Sequence, residues 1–492
     1  MSKLDKPTSL WRNGITMLGW FLGWSLGLIG VVLLGMDLAH GHTSSYVGIL
    51  IYLVMPMLLG GCAVLVGVGL VWAQRRARRG GREFRMPVID LGDRRTHWQI
   101  FWWGLIGTAL LSITLLAGYR AYHFTESVAF CGEVCHQVMQ PEYTAFKQSA
   151  HAGSSCTECH IGPGAEWFVK AKISGMYQVY SVLFHKYSRP IETPVQSLRP
   201  AKETCLTCHW PAKFFGPVLR SWTHYASDET NTPWTIQMLV NVGGGNPAHG
   251  PIKGIHWHME GINSVEYIAT DRQRLSIPWV RVTEQSGKVT VFQSEDPKAQ
   301  LSAADTAKLP KRRMDCMDCH NRPSHQFRSP NELMDQALSS GRLDATLPSI
   351  RAEGAKLLAA TYPTQAAAQS AIEHALRTRY AADPRLDATI RALQNIYSSN
   401  FFPEMKVSWK EYPNHIGHKL SPGCFRCHDG KHVSEDGQRI TNDCKICHAI
   451  MAQGPGKIAT EYTVAGQEFR HPEDIGDAWK TERCDTCHTG SP

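Results

Sequence analysis

The sequence predicts three transmembrane helices followed by a mainly α, loop-rich domain with a small β insertion. Two observations lead to this fold class. Three apolar runs, at 14–36, 47–73 and 98–119, each reach the roughly 20 residues that a membrane-spanning helix needs. After residue 120 no comparable run occurs, and the chain instead repeats seven times a pair of cysteines followed directly by histidine.

Each repeat has the residues that attach a c-type haem. In Cys-x-x-Cys-His the two thiols form thioether bonds to the haem, and the imidazole becomes an axial ligand of the iron. Zinc sites and disulfides do not require histidine after every cysteine pair, yet all seven pairs carry it, although only 23 of the 492 residues are histidine. The sequence therefore predicts a membrane-anchored multihaem cytochrome c with seven covalently bound haem c groups. The cysteines are Cys131, Cys135, Cys156, Cys159, Cys205, Cys208, Cys316, Cys319, Cys424, Cys427, Cys444, Cys447, Cys484 and Cys487, and the motif histidines are His136, His160, His209, His320, His428, His448 and His488.

The first motif differs from the other six. Three residues separate Cys131 from Cys135, where the other pairs have two between them. We still expect haem attachment there, but whether His136 is the axial ligand stays open. Met139 is the alternative, and a thioether ligand would raise the reduction potential of that haem relative to bis-histidine haems. Ordinary packing of Met139 is the competing interpretation.

A second set of histidines is needed to complete the haems, because a low-spin haem has two axial ligands. His151 stands shortly before the second motif and His325 shortly after the fourth, and such histidines are expected to reach a neighbouring haem. Comparable positions are held by His418, His432 and His471. About six such second ligands are needed, and His256 and His258 are the two candidates for the sixth. His374 is expected on the surface of a helix.

Basic residues orient the three predicted spans. Eight arginines lie between 75 and 95, whereas the loop from Asp37 to Tyr46 has neither Lys nor Arg. The positive-inside rule therefore places the arginine-rich loop and the N-terminus in the cytoplasm. Three crossings put everything after residue 120 on the periplasmic side of the bacterial cytoplasmic membrane, where c-type haems are attached.

Charge and histidine placement exclude two classes of protein. The net charge of +8 does not indicate nucleic-acid binding, because eight basic residues belong to the cytoplasmic loop. Roughly fourteen haem propionates would offset much of the remaining positive charge outside. No histidine lies inside the three apolar runs, so a b-type cytochrome bundle, which needs ligands at membrane depth, is excluded. The lipid bilayer is the expected partner of the anchor.

The spacing of the motifs predicts the organisation of the chain. Strands are expected at 265–270, 277–282 and 289–292, and two helices at 366–380 and 384–397. We expect haem ligation, more than a large apolar core, to hold the outer part together. The predicted segments are a three-helix membrane anchor (1–120), the cluster of haems one to three (121–211), a mixed β insertion (212–310), haem four with a helical segment (311–414) and the cluster of haems five to seven (415–492).

Glycines recur at every fourth position in the first apolar run, as Gly19, Gly23 and Gly27. Small residues at this spacing let transmembrane helices approach closely. Two interpretations stay open: packing within the anchor itself, or packing onto a partner subunit or a second copy of the chain.

The residues around the first two motifs resemble a known family. The segment Phe130 to Pro141, then Ser149-Ala-His-Ala and Cys156-Thr-Glu-Cys-His, is similar to the NapC/NirT/NrfH superfamily of membrane-anchored quinol dehydrogenases over about 98–210. Seven haem motifs behind three spans look more closely like the ImcH-type inner-membrane heptahaem cytochromes, over nearly the whole chain. The resemblance implies that haem one lies beside the quinol site and takes a methionine, which points to Met139. The extra residue between Cys131 and Cys135 departs from the family pattern.

A quinol site near haem one also follows from chain length. The third apolar run ends near Tyr119, and the 12 residues to Cys131 span about 18 Å as a helix. Quinol oxidation releases protons, so the site needs groups that can accept them. Each candidate also has a plain interpretation as a solvated or propionate-pairing residue. The candidates are Met139, Glu133, Glu142, Lys170, Lys172, Asp37, His40 and His42.

The resemblance implies electron transfer between the membrane quinone pool, with menaquinone as substrate, and periplasmic c-type cytochromes. The chain would then act as a quinol:cytochrome c oxidoreductase, although the direction of flow stays open. Two other functions also stay open. One is a terminal reductase with an open haem, and the other is a passive electron-carrying subunit, in a homo-oligomer or a larger respiratory or photosynthetic complex.

Overall fold

A computed structural model describes residues 13–40, 54–78, 93–134, 136–162, 164–195, 199–210, 216–243, 254–259 and 264–491. The chain forms two compact units. The first consists of Met1–Thr125 and Ile161–Tyr177, and the second of Glu126–His160 and Gln178–Pro492.

Three long helices dominate the first unit: α1 (Gly14–His40), α2 (Met55–Arg78) and α3 (Arg94–Thr125). Asn13 begins α1, because its Oδ1 accepts a hydrogen bond from the Thr16 backbone N–H at 2.9 Å. Two segments are long and apolar enough to cross a membrane, Gly14–Val31 in α1 and Met55–Arg76 in α2. The third predicted run, 98–119, lies inside α3, whose 32 residues measure about 48 Å.

Helices α1 and α2 pack closely through small residues. A Cβ atom on Gly19 would lie 2.9 Å from Val66 and 3.0 Å from the Cys62 carbonyl oxygen, and one on Gly23 would lie 3.6 Å from Cys62 Cβ. A Cβ on Gly27 would meet nothing within 4 Å among the described residues. Gly19 and Gly23 therefore serve contact within the anchor, and Cys62 is a small buried residue of this interface.

Most helices of the remaining chain are short, and several coincide with haem motifs. A π-helical turn (Phe130–Val134) precedes the first of them, and 3-10 turns occur at Ile255–Met259, Pro403–Met405, Gly423–Arg426 and Cys444–Ile446. The helices are α4 (His136–Lys147), α5 (Cys156–His160), α6 (Ala165–Leu183), α7 (Ala201–Cys205), α8 (Ala303–Lys308), α9 (Cys316–Cys319), α10 (Pro330–Ser339), α11 (Ile350–Ala359), α12 (Gln365–Arg379), α13 (Leu386–Asn400), α14 (Ala478–Thr481) and α15 (Cys484–Cys487).

Nine strands among the described residues form two antiparallel sheets, ordered β1-β2-β8-β9 and β6-β3-β4-β5-β7. The three strands expected from the sequence are confirmed as β3, β4 and β5. The C-terminal segment adds a strand to the edge of their sheet and two strands to the other sheet. The strands are β1 (Val218–Tyr225), β2 (Pro233–Val240), β3 (Ser264–Ile268), β4 (Trp279–Thr283), β5 (Val289–Ser294), β6 (Arg312–Arg313), β7 (His432–Ser434), β8 (His448–Pro455) and β9 (Tyr462–Gln467).

Helices α10 to α13 enclose the main apolar core of the second unit. Leu338, Leu347, Ile372 and Leu393 are almost completely buried within it. The two helices expected at 366–380 and 384–397 are confirmed as α12 and α13. The expectation that haems rather than an apolar core would hold the outer part together is wrong for this segment, because the aliphatic side chains here build a core of their own.

Candidate haem-binding sites

A haem motif forms one turn of helix. In the third, fourth, fifth and seventh motifs the backbone N–H of the motif histidine donates to the carbonyl oxygen of the first cysteine, at 2.8–3.0 Å. Positions i, i+3 and i+4 of such a turn lie on one face. The local backbone therefore directs both thiols and the imidazole of one motif toward the same side.

The second unit brings each of six motif histidines opposite a second histidine. The two ring centres lie 5.8–6.3 Å apart in every pair. The pairs are His160 with His325, His209 with His151, His320 with His256, His428 with His258, His448 with His418 and His488 with His471.

This separation fits a metal ion bound between the two rings. A bond from a histidine nitrogen to a metal is about 2 Å long, and the nitrogen lies roughly 1 Å from its ring centre, so two rings on opposite sides of one ion are roughly 6 Å apart. The side chains of the six pairs therefore fit the two axial positions of a haem iron.

Hydrogen bonds orient many of these rings. The Nδ1 atoms of His151, His256, His258 and His325 lie 3.3, 3.1, 2.8 and 3.0 Å from backbone carbonyl oxygens, and those of His428 and His471 lie 2.9 Å from theirs. A carbonyl can only accept, so the proton resides on Nδ1 in the first five of these rings, whereas Nδ1 of His471 also receives the Glu473 backbone N–H at 3.2 Å. The lone pair of Nε2 is then available for a metal, which is the usual arrangement of a ligating histidine.

Burial favours the neutral form of seven of the paired rings. It lowers the pKa of the motif histidines His160, His320, His448 and His488 and of the opposing His258 and His418. The same desolvation lowers the pKa of His325 to about 4. A metal binds the neutral imidazole, so these rings are ready to bind near pH 7.

His432, which the sequence suggested as an axial ligand, has a different position. Its side chain is 2% exposed, and Nδ1 lies 2.8 Å from the Asp429 carboxylate. Its Nε2 lies 2.7 Å from the Ile277 carbonyl oxygen. Both nitrogens are engaged within the protein, so His432 is unsuited to hold iron. The two candidates for the sixth axial ligand, His256 and His258, each face a motif histidine, so both fit as ligands and His432 is not needed.

The first motif is described in part. Cys135 lies outside the described residues, and the side chain of His136 is not described. Gly132 is buried against Tyr143, whose ring would lie 2.4 Å from a Cβ at that position. The Tyr143 hydroxyl donates to Glu133 at 2.8 Å, and this bond raises the pKa of Tyr143. Met139 is half-buried on α4.

The quinol-site candidates occupy different environments. Glu133 is exposed, whereas the Glu142 side chain is partly buried. Burial raises the pKa of Glu142, although the positive charge of Arg322 acts to lower it. In the first unit, Lys170 Nζ lies 4.7 Å from the Trp167 ring centre and Lys172 Nζ lies 5.1 Å from that of Phe168. The side chains of Asp37 and His40 are not described, and His42 lies outside the described residues.

Each haem motif of the second unit neighbours the next motif in the chain. The thiols of Cys131 and Cys156 hydrogen-bond each other, as do those of Cys205 and Cys316. Helix α7, at the third motif, packs on α5 of the second and on α9 of the fourth. The later cysteines continue the series, because burial and, to a smaller extent, a cysteine of the neighbouring motif raise their pKa. The neighbours are Cys424 for Cys319, Cys424 for Cys447, and Cys444 for Cys484.

A buried charged network joins the fourth and fifth motifs. Within the fourth, Asp318 accepts hydrogen bonds from Tyr267 and Arg274, both at 2.5 Å. Arg426, within the fifth, donates to the carbonyl oxygens of Asp318 at 2.5 Å and Gly423 at 2.7 Å. Sequence reasoning missed these residues, because the two positions between the motif cysteines carry no pattern that distinguishes a buried charge from an exposed one.

His415 also belongs to this network. Its Nδ1 lies 3.2 Å from the Asp318 carbonyl oxygen and 3.1 Å from Arg426 Nη1. Burial and the neighbouring Arg426 charge lower the pKa of His415 to about 4. The ring is therefore a neutral, buried element that links the same two motifs.

Comparison with known proteins agrees with this geometry. Residues 93–196 match the family model for the N-terminal region of the NapC/NirT cytochrome c family. Over 491 residues the chain is 42% identical to the cytochrome c-type protein ImcH of Geobacter sulfurreducens, which covers 97% of this chain and 95% of that protein. No solved structure matches the chain significantly. The chain therefore belongs to the NapC/NirT family of c-type cytochromes, which hold haem covalently and transfer electrons, and within it to the ImcH-type proteins.

Proposed function

We propose that this protein is a heptahaem c-type cytochrome of the bacterial cytoplasmic membrane that passes electrons between the membrane quinone pool and periplasmic redox partners. Menaquinol is oxidised near the first motif, and periplasmic c-type cytochromes exchange electrons at the far end. In this proposal the enzyme is a quinol:cytochrome c oxidoreductase. The chain crosses the membrane three times, with its N-terminus in the cytoplasm and the haem domain in the periplasm.

This proposal depends on one observation: each haem motif lies next to the motif that follows it in the sequence. When bound, each haem supplies a carrier that takes up and releases one electron. The six histidine pairs are the proposed axial ligands, and each attachment site neighbours the next from Cys131 to Cys484. Such a series has two ends, and these are the natural places of entry and exit.

The first motif is the end that the chain holds near the membrane. Thr125 ends α3, and Cys131 follows it by six residues. Six residues span at most about 20 Å even when fully extended. The chain therefore keeps this motif within reach of a quinol at the membrane surface.

The candidate residues of the quinol site near the first motif would accept the protons that quinol oxidation releases. Glu133 is exposed and held by Tyr143, which suits a group that exchanges protons with water. Glu142 is partly buried near Arg322, and burial raises its pKa, which suits a carboxyl that accepts a proton more readily than an exposed one. Lys170, Lys172, His40 and His42 remain part of the proposed set, as does Met139 as a ligand of the first haem.

Two alternative functions make different demands on the structure. A terminal reductase needs an open axial position, and six motif histidines already face a second histidine. Such a reductase would thus have to use the first motif. A passive subunit of a larger complex needs a membrane partner surface, and Gly27 and Gly30 of α1 are among the described glycines that contact with α2 leaves open for one.

Stopped-flow reduction of the purified protein in nanodiscs by a reduced menaquinone analogue tests the proposal. We expect rapid reduction of most haems that a quinone-site inhibitor abolishes. Reduction by dithionite but not by quinol would overturn it and favour one of the two alternatives. A high-spin signal that shifts with nitrite identifies the reductase, and copurifying membrane proteins identify the larger complex.

Variants locate the two ends. Met139→Leu and Glu142→Gln, made singly, should slow quinol-dependent reduction, while Glu435→Gln, an exposed carboxylate of the distant C-terminal segment, should not. Unchanged rates in the first two would remove the proposed entry site. Cys484→Ala with Cys487→Ala should abolish delivery to an external cytochrome while quinol still reduces the other haems; undiminished delivery would contradict exit at the seventh motif.

A further inference from the structure

Helix α6 (Ala165–Leu183) carries an exposed apolar stripe along its whole length. Ile173 is 59% exposed, Met176 67% and Leu183 69%, although each is a large apolar residue. Exposed apolar residues of this size usually occur singly on a soluble surface. The full stripe, including the residue that follows the helix, is Val169, Ile173, Met176, Tyr177, Tyr180, Leu183 and Phe184.

The stripe has the geometry of an amphipathic helix. At 100° per residue its members fall within an arc of about 120°, with Lys170 at one border and Lys172 at the other. The opposite side carries small or polar residues such as Ala171, Ser174 and Gln178, together with Trp167 and with Val182, which packs against an apolar core cluster. Lysines that border an apolar face can extend their ammonium groups away from it, which is the arrangement of helices that lie in a membrane interface.

The charged residues around this stripe are mostly positive, and Glu166, in the first turn of α6, is the exception on this helix. Between Trp167 and Ile191 the sequence has Lys170, Lys172, Lys186 and Arg189, and it has neither Asp nor Glu. Tyr180 of the stripe holds one of these positive charges close to it. Lys186 Nζ donates to the Tyr180 hydroxyl at 2.6 Å and lies 4.8 Å from the centre of the Tyr180 ring. Phospholipid headgroups with net negative charge complement such a surface.

A contact within the first unit places the start of α6 at one end of a long helix of the anchor. Phe168 and Tyr122 have ring centres 6.5 Å apart, and Tyr122 lies in the last turn of α3. Residues 161–177 belong to the same compact unit as α1, α2 and α3. The exposed stripe thus begins near the end of α3.

We propose that α6 is an interfacial helix that lies in the boundary between headgroups and acyl chains of the bilayer, with its apolar stripe in contact with lipid and its lysines on anionic headgroups. This contact is additional to the transmembrane anchor. It gives the protein a membrane-bound element beside the proposed transmembrane helices.

Lipid photolabelling and cysteine accessibility test the proposal on the full-length haem-loaded protein in nanodiscs. A phospholipid with a diazirine in its upper acyl chain should form adducts on the stripe that mass spectrometry maps to 169–184. For accessibility the background is Cys62→Ala, because the motif cysteines are held in thioethers. Met176→Cys and Tyr180→Cys should react slowly with a water-soluble maleimide, whereas the matched control Gln178→Cys on the opposite side reacts rapidly.

Three results would overturn the proposal or part of it. Rapid reaction of all three cysteines without lipid adducts means that the stripe faces water. Slow reaction at 176 and 180 without lipid adducts means that a second copy or another protein covers it. Equal adduct yields in phosphatidylglycerol and phosphatidylcholine nanodiscs would remove the role assigned to anionic headgroups, since the proposal requires a higher yield with phosphatidylglycerol.

Discussion

His256 and His258 stand two residues apart on one 3-10 turn, yet they face the histidines of two different haem motifs. His256 stacks opposite His320 with ring centres 6.3 Å apart, and His258 lies opposite His428 at 5.8 Å. One short turn therefore links the fourth motif to the fifth. Trp257 between them packs into the core of the β3–β4 sheet, which fixes the turn.

Replacing these two histidines singly should affect different haems. We expect His256→Gln to convert only the haem of the fourth motif to a high-spin form, and His258→Gln only that of the fifth, because each loses one axial ligand. Electron paramagnetic resonance with magnetic circular dichroism counts the low-spin haems. His374→Gln, on the exposed side of α12, is the matched control. A spectrum in which either single variant changes both haems would contradict the assignment.

His432→Gln should leave every haem low-spin but destabilise the fold. The buried pair with Asp429 is worth about 1–3 kcal/mol as a hydrogen bond to a charged group. Burial opposes the charge, but the bonds to Asp429 and the Ile277 carbonyl oxygen prevail and raise the pKa of His432 above its ordinary 6.5. The stabilisation is therefore complete below pH 6.5 and declines as the pH rises through the folded-state value.

Thermal unfolding followed by circular dichroism at pH 6 and pH 9 checks the effect of His432→Gln. The loss of stability should be larger at pH 6, where the imidazolium pairs with the carboxylate. An equal loss at both values would show that the pair is not charged, and the appearance of high-spin haem would restore His432 as an iron ligand.

Glu142→Gln should make stability less dependent on pH. Desolvation raises the pKa of Glu142, so the folded protein holds this proton more tightly than the unfolded chain. Stability from this carboxyl is present below its unfolded-state pKa and is lost as the pH rises through the folded-state pKa. Between pH 5 and 8 the wild type should lose more stability than the variant. The exposed Glu435→Gln serves as control, and a wild-type slope in the Glu142 variant would contradict the prediction.

Arg426 should set both the stability and the reduction potential of the region between the fourth and fifth motifs. Arg426→Met removes several hydrogen bonds from a charged group and should cost about 3 kcal/mol. It also removes a buried positive charge that disfavours the ferric state, so the potentials of these two haems should fall. Arg426→Lys retains the positive charge but lacks the several guanidinium N–H donors. Spectroelectrochemical titration should therefore find a smaller shift in the Lys variant; equal shifts would rule out the role of charge.

Gly132→Ala should disturb the first motif alone. The added Cβ would overlap the Tyr143 ring, and such overpacking costs about 1–3 kcal/mol. We expect slower reduction by quinol, because displacement of Tyr143 breaks its bond to Glu133, while dithionite still reduces every haem. Gly153→Ala, where a Cβ would meet nothing within 4 Å among the described residues, is the control. Equal rates for the two variants would contradict the prediction.

The sequence by itself determined the features that depend on neighbouring residues. A haem motif needs only the i, i+3 and i+4 positions of one helical turn, so the motifs could be recognised without any tertiary structure. The same is true of the apolar runs of α1 and α2, of β3 to β5, and of α12 and α13, because periodicity and turn residues act over a few positions.

The tertiary structure decided which histidine faces which motif. His325 stands five residues after the fourth motif in the chain but faces His160 of the second. His432 stands four residues after the fifth motif, yet Asp429 and Ile277 hold it. The C-terminal strands β7, β8 and β9 join sheets whose first strands, β3 and β1, begin at Ser264 and Val218. The histidine pairs and the strand pairing depend on packing between residues far apart in the sequence, and on which hydrogen-bond partner each buried polar group meets. The spacing of neighbouring residues encodes neither.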